Sequence, residues 1–204
     1  MVRRNSSRLK KTSKLWIFCE GKTERRYFEN LRVIKRARIK IIPKEAGVTR
    51  ADQILKKAIK FREGKFIMGD DRFDKKRDRI ACVFDKDDNN TSCVFDEIRS
   101  IRGKIVLGYT NPAFEYWILC HHGFYDSNSY NQKEVYVLVK NKLGIDTKKE
   151  KELYDKTKDK IENAKNCAKR IRKIHERKGI ELISRDSTPL SLIYVIIELI
   201  DQFK

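Results

Sequence analysis

Two apolar runs in this chain end on acids. Leu15 to Cys19 stops at Glu20, and Ile80 to Phe84 stops at Asp85, with Asp87 and Asp88 just beyond. Ligands of open parallel sheets bind beyond the carboxyl ends of the strands. If these two runs are neighbouring strands, Glu20, Asp85 and Asp87 therefore point into one crevice. Anions packed so closely repel, and a hard divalent cation with oxygen ligands neutralises them. Mg²⁺ is the usual one beside phosphates, with Mn²⁺ its close substitute. A compact acidic cluster is also an anomaly in a chain with 48 basic and 29 acidic residues, net charge +19.

Other readings of "DKDDNNT" (85 to 91) compete. It matches the first ligand positions of an EF-hand loop, with Asp96 at the twelfth. However, Asn90 stands where the turn glycine belongs, and a buried strand leads in. As D-x-D after a strand it resembles the haloacid dehalogenase motif, except that Asn89 replaces the usual Thr or Val. It could also be an acid-rich turn that ends a strand. Glu115, in "NPAFE", is either a further acid at the site or a charge favoured at a helix N-terminus. His121 and His122 read as cations closing a helix.

The elements that must position these acids alternate. "LWIFC" is a strand, and Lys22 to about Ala37 a helix with Tyr27, Phe28, Leu31 and Ile34 at helical spacing. "IKIIP" (39 to 43) is a second, short strand ended by Pro43. A helix bearing Ile54, Leu55, Ala58 and Ile59 follows, opened by Thr49 and Asp52 as a capping box. Residues 64 to 79 lack a period, and so long a loop is usually mobile or functional. A third strand (80 to 85), a short helix (92 to 101) and a fourth strand (104 to 109) complete a mostly parallel, four-stranded α/β sheet covered by helices on both faces.

Residues 111 to 204 read as a helical half. Asn111 and Pro112 are the expected cap and first position of "AFEYWILCHH". Further helices are expected over 133 to 143, over 148 to 178, and from Thr188-Pro189 to the end. The stripe Leu153, Ile161, Ala164, Ala168, Ile171 and Ile174 reads as packing, and its lysine-rich opposite face as a track for phosphates. The organisation is thus a basic arm (1 to 14) and one α/β domain, with core 15 to 110 and helical extension 111 to 204. The arm carries Arg3, Arg4, Lys10 and Lys11 and no acid. It can lie along phosphates or be a solvated tail.

Composition bounds the function. The net charge points to polyanions, and nucleic acid is the commonest in a cytosol. A lysine-rich proteome or an acidic membrane surface would also account for it. No apolar stretch approaches the roughly 20 residues that cross a bilayer, and no secretory signal is expected. Five scattered cysteines without a C-x-x-C pair favour a reducing, cytoplasmic setting and argue against structural zinc.

Four blocks, in order, resemble the RloB-like branch of Toprim proteins: "IFCEGKTERRYFENL", "CVFDKDDN", "NPAFEYWILCHH" and "STPLSLIYVIIEL". The resemblance spans about residues 14 to 203. It implies a Toprim fold and a Mg²⁺-dependent nuclease site acting on DNA or RNA. The family is associated with prokaryotic defence and often paired with an ATPase. On this resemblance Glu20 is the general acid/base or a metal holder, and Asp85 and Asp87 are metal ligands. Asp88 and Glu115 are possible additions. The metal polarises the scissile phosphate and activates water, and a carboxylate manages the proton. Lys22, after Gly21 at a helix N-terminus, is the best-placed phosphate contact. The competing expectation is a non-catalytic module that binds nucleic acid or a protein partner. A topoisomerase or primase is disfavoured, since there is no room for a strand-passage domain. A homo-oligomer is compatible with all of these readings.

Overall fold

The computed structural model describes residues 12–42, 51–86, 98, 100–101, 103–144 and 150–204. The arm residues Arg3, Arg4, Lys10 and Lys11, the acids Asp87 and Asp88, Thr49, and nearly all of the helix expected over 92 to 101 lie outside them.

Five strands make one sheet: β1 (Leu15–Cys19), β2 (Ile39–Ile42), β3 (Arg79–Asp85), β4 (Val106–Asn111) and β5 (Leu190–Ser191). Their spatial order is β2-β1-β3-β4-β5. β1 pairs in parallel with β2 on one side and β3 on the other, while β5 closes the edge antiparallel to β4. Every residue of β1 is buried. That is why the strand reads as a continuous apolar run and not as an alternation. The chain leaves β1 towards β2 and then returns to β3 on β1's other side, so the winding reverses between β1 and β3. That gap is the topological switch point, where α/β sheets open a crevice.

Seven α-helices surround the sheet among the described residues: α1 (Lys22–Lys35), α2 (Ala51–Glu63), α3 (Glu115–Cys120), α4 (Gln132–Leu143), α5 (Glu150–Asp155), α6 (Ile161–Arg177) and α7 (Ile193–Ile200). α2 covers the face carrying Trp16 and Phe18, whose rings lie 4.7 and 6.0 Å from Phe61. α1 buries Tyr27, Phe28 and Leu31, while Ile34 is left exposed. The Tyr27 ring meets Phe114, Trp117, Tyr154 and His121 edge-on at 5.5 to 6.4 Å, joining α1 to the helical half. α7 lies so close on β4 that a Cβ at Gly108 would come within 2.5 Å of the Ile196 side chain. No helix among the described residues is long and apolar enough to cross a membrane.

Several expectations about the elements need correction. The helix expected over 148 to 178 is broken into α5, a 3-10 turn at Lys158–Lys160, and α6. Buried Thr157 stands at the break and donates its hydroxyl to the Leu153 and Tyr154 carbonyls. Such back-bonding by Thr favours helix ends. Asn111 does not cap α3, which begins at Glu115 with Phe114 as its N-cap. Instead the Asn111 amide donates to the Ser184 and Arg185 carbonyls and accepts from the Thr188 hydroxyl. These bonds hold residues 184 to 188 against the end of β4. Directly after Thr188-Pro189, Leu190 and Ser191 form β5 on the free edge of β4, and the expected helix starts only at Ile193, as α7. α4 does have a capping box, formed by Asn131 and Glu134.

The segment over 64 to 79, expected to be mobile or functional, is tied to the strands by polar contacts. Asp71 pairs with Lys14 at 2.6 Å and Lys40 at 3.2 Å. Buried Asp78 accepts from the Trp16 indole at 2.9 Å, the Lys14 amide at 3.0 Å and the Asp74 amide at 3.1 Å. Removing an acceptor leaves buried donors unsatisfied, at about 1–3 kcal/mol each. Asp78→Ala is therefore expected to lower stability by about 3 kcal/mol. The check is a urea melt followed by tryptophan fluorescence, where the midpoint falls with the slope unchanged.

Candidate active site

The parallel register aligns Cys19 with Val83, so Glu20 emerges beside the end of β3. The Glu20 amide donates to the Val83 carbonyl at 3.1 Å. In return its carboxylate Oε2 accepts the Asp85 backbone N–H at 3.3 Å. These two sequence-predicted acids, 65 residues apart, meet at the switch point. Asp85 is paired in register with Thr110 of β4, whose hydroxyl donates a hydrogen bond to Asp85 Oδ1.

Two more carboxylates complete the cluster, each from the first turn of a helix. Glu24 in α1 is 4% exposed. The backbone amides of Glu24 and Gly21 beside its carboxylate favour the ionised form. Burial nonetheless pushes its pKa up to about 7, with Glu115 and Glu20 adding repulsion. Glu115, at the start of α3, is pushed up by burial as well. Asp85 is raised by burial and then by the charges of Glu24, Glu115 and Glu20, against the lowering effect of Thr110. Four acids thus sense one another across the ends of two strands and two helices. Among the described residues, neither Glu24 nor Glu115 forms an ion pair with a lysine or arginine.

Gly21 has a steric role here. A Cβ on it would overlap the Glu24 carboxyl group, so only glycine leaves that side chain its place. Lys22 follows as the first residue of α1 and is exposed, on the same turn as Glu24. Lys86 extends the sheet by donating its backbone N–H to the Thr110 carbonyl at 2.7 Å.

The donor set is all carboxylate, the hard oxygen chemistry that suits Mg²⁺ or Mn²⁺. Among the described residues, no three His, Cys, Asp or Glu side chains stand close enough to hold one ion. Glu20 and Asp85 would supply the described part of such a site, with Glu24 and Glu115 as neighbouring charge.

His121 is not the helix-ending cation expected. It is buried, bonded through Nδ1 to the Trp117 carbonyl at 2.9 Å and through Nε2 to the Tyr27 hydroxyl at 3.4 Å. Burial lowers its pKa to about 4, so it is neutral at pH 7. Sequence reasoning missed Glu24 and Thr110. The E-x-x-x-E spacing from Glu20 to Glu24 was a usable signal, since a glycine N-cap lets a third-position glutamate fold back. Thr110 needed the strand register.

A mostly parallel α/β sheet with an acidic crevice at its switch point defines the class of protein. The family model for RloB-like proteins matches residues 15–200, and the chain belongs to that family. No curated protein and no solved structure shows a match.

The acid cluster sets a pH dependence. A carboxyl raised from 4.5 to about 7 keeps its proton in the fold where the unfolded chain has already lost it. Stability therefore falls as pH rises through that window. In EDTA, the thermal midpoint of the wild type relative to Glu24→Gln is expected to drop by roughly 5 °C between pH 5 and pH 8. Differential scanning fluorimetry of both proteins checks it, and parallel curves would contradict it.

Proposed function

We propose that this chain is a Toprim-type nuclease that depends on Mg²⁺ or Mn²⁺, hydrolyses phosphodiester bonds in DNA or RNA, and serves prokaryotic antiviral defence. The observation that carries the reading is the convergence of Glu20, Glu24, Asp85 and Glu115 at the β1/β3 switch point of a chain with net charge +19. Such a basic surface draws a polyanion in, and only a local acidic site gives a cation a place beside its phosphates.

Glu20, Asp85 and Asp87 would hold the metal, joined by Asp88. A bound Mg²⁺ would supply a Lewis acid for the scissile phosphate and acidify a coordinated water. Glu20 is half-buried at a strand end and suited to accept the proton of the attacking water. The Thr110 hydroxyl orients Asp85 by occupying one of its oxygens. Gly21 and the α1 amides orient Glu24, which adds negative potential that draws a cation in. Lys22, exposed at the first position of α1, supplies a positive charge for a neighbouring phosphate.

The test is cleavage of labelled single- and double-stranded DNA and RNA by the purified chain in Mg²⁺, Mn²⁺ or EDTA. Glu20→Gln and Asp85→Asn are expected to lose at least about 100-fold in rate while retaining the wild-type circular dichroism and nucleic-acid binding. Gly21→Ala, which displaces the Glu24 carboxyl, should fold normally and cleave more slowly. Undiminished cleavage by both acid variants would reject the proposal. Binding without cleavage under every condition would instead support the non-catalytic module.

A further inference from the structure

A second cavity, of about 420 Å³, lies at the opposite end of α3 from Glu115. Its walls include His122, Phe124, Lys160, Asn163, Asn166 and Arg170, and no carboxylate is among the residues that line it. None of the acids of the switch-point crevice contributes to it. Glu115 and His122 are separated by about 10 Å at the helical rise.

The cavity carries positive charge from Lys160 and Arg170. Among the described residues, Lys142, Lys160 and Arg170 form no ion pair with a carboxylate. Burial and then the charges of Lys160, Lys142 and Lys156 push the His122 pKa down, the behaviour of a base in a positive field. The Arg170 guanidinium carbon lies 3.9 Å from the centroid of the Phe124 ring, a cation–π contact.

His122 borders this cluster, with its Nδ1 3.4 Å from the Lys160 ammonium, which can only donate. Lys160 and Arg170 line the cavity with no carboxylate partner among the described residues, and such a pair calls for an anion.

We infer that this cavity binds a phosphorylated ligand of nucleotide size. Lys160 and Arg170 take the phosphate, which accepts several hydrogen bonds at once. The Asn163 and Asn166 amides, each both donor and acceptor, suit the edge of a heterocycle. The volume falls within the roughly 300–1,000 Å³ of small-molecule sites and exceeds what inorganic phosphate fills. The ligand is either a free nucleotide or one nucleotide unit of a strand.

Isothermal titration calorimetry on the full chain, in EDTA at physiological salt, separates these sources. The probes are each ribonucleoside 5′-monophosphate, adenosine, and a short 5′-phosphorylated oligonucleotide. Lys160→Gln/Arg170→Gln, both exposed positions, should weaken phosphorylated-probe binding at least about tenfold. The control Lys75→Gln/Lys76→Gln removes the same charge from a distant exposed site and should change it less than about twofold. Binding of a monophosphate identifies a free nucleotide, and binding of the oligonucleotide alone identifies a strand unit. The inference is overturned if no phosphorylated probe binds, if adenosine binds as tightly as its monophosphate, or if the two double variants behave alike. Because cleavage is not measured, its failure is independent of the nuclease reading.

Discussion

The pairing of β1 with a parallel neighbour on each side is the constraint from which the crevice follows. It buries all of β1 and fixes the register with β3, and so it leaves Glu20 nowhere to go except across the end of β3. A one-residue slip would turn Glu20 away from Asp85 and send Trp16 from the α2 face to the other side of the sheet. The apolar core and the polar site therefore specify the same register. The Asp78 carboxylate reinforces it from the opposite end of the strands, since it ties the Trp16 indole and the Lys14 amide to the segment that leads into β3.

What the register brings together, electrostatics pushes apart. Glu24, Asp85 and Glu115 are all held above the usual carboxylate range by burial, with neighbouring carboxylates adding to the rise at Glu24 and Asp85. Backbone N–H groups and the Thr110 hydroxyl offset this only in part. Folding thus carries a local cost that the surrounding aromatic core must outweigh, as is common where a site needs a charge distribution that stability alone would avoid.

Much of the architecture was legible because long apolar runs and strand-end acids are local signals. β1, β2 and β3 fell within a residue or so of the reading, α1 ended two residues earlier than expected, and the family likeness was visible in four short blocks. The errors had tertiary causes. β5 is only two residues long and exists because β4 offers a free edge, a fact that no local pattern records. The break at Thr157 depends on its hydroxyl turning back to the carbonyls of the preceding turn in a buried setting. Asn111 preceding a proline looks like a helix cap, but the polar groups of residues 184 to 188 claim it. His121 followed the same logic: its position at a helix end suggested a cation, and its burial beside Tyr27 makes it neutral. In the crevice, Glu20 and Asp85 were readable from their place after apolar runs. Glu24 was not, because an acid in a first helical turn is ordinary until its burial is known.

The Tyr27 ring has one more implication. It sits a single residue triplet beyond Glu24 on one helix and touches Phe114, the neighbour of Glu115, on another. The spacing between those two carboxyl groups is thus gauged by edge-on rings, much as a spacer sets the gap between two plates. Natural drift in the size of that aromatic layer would retune the field within the crevice while every acid stayed in place.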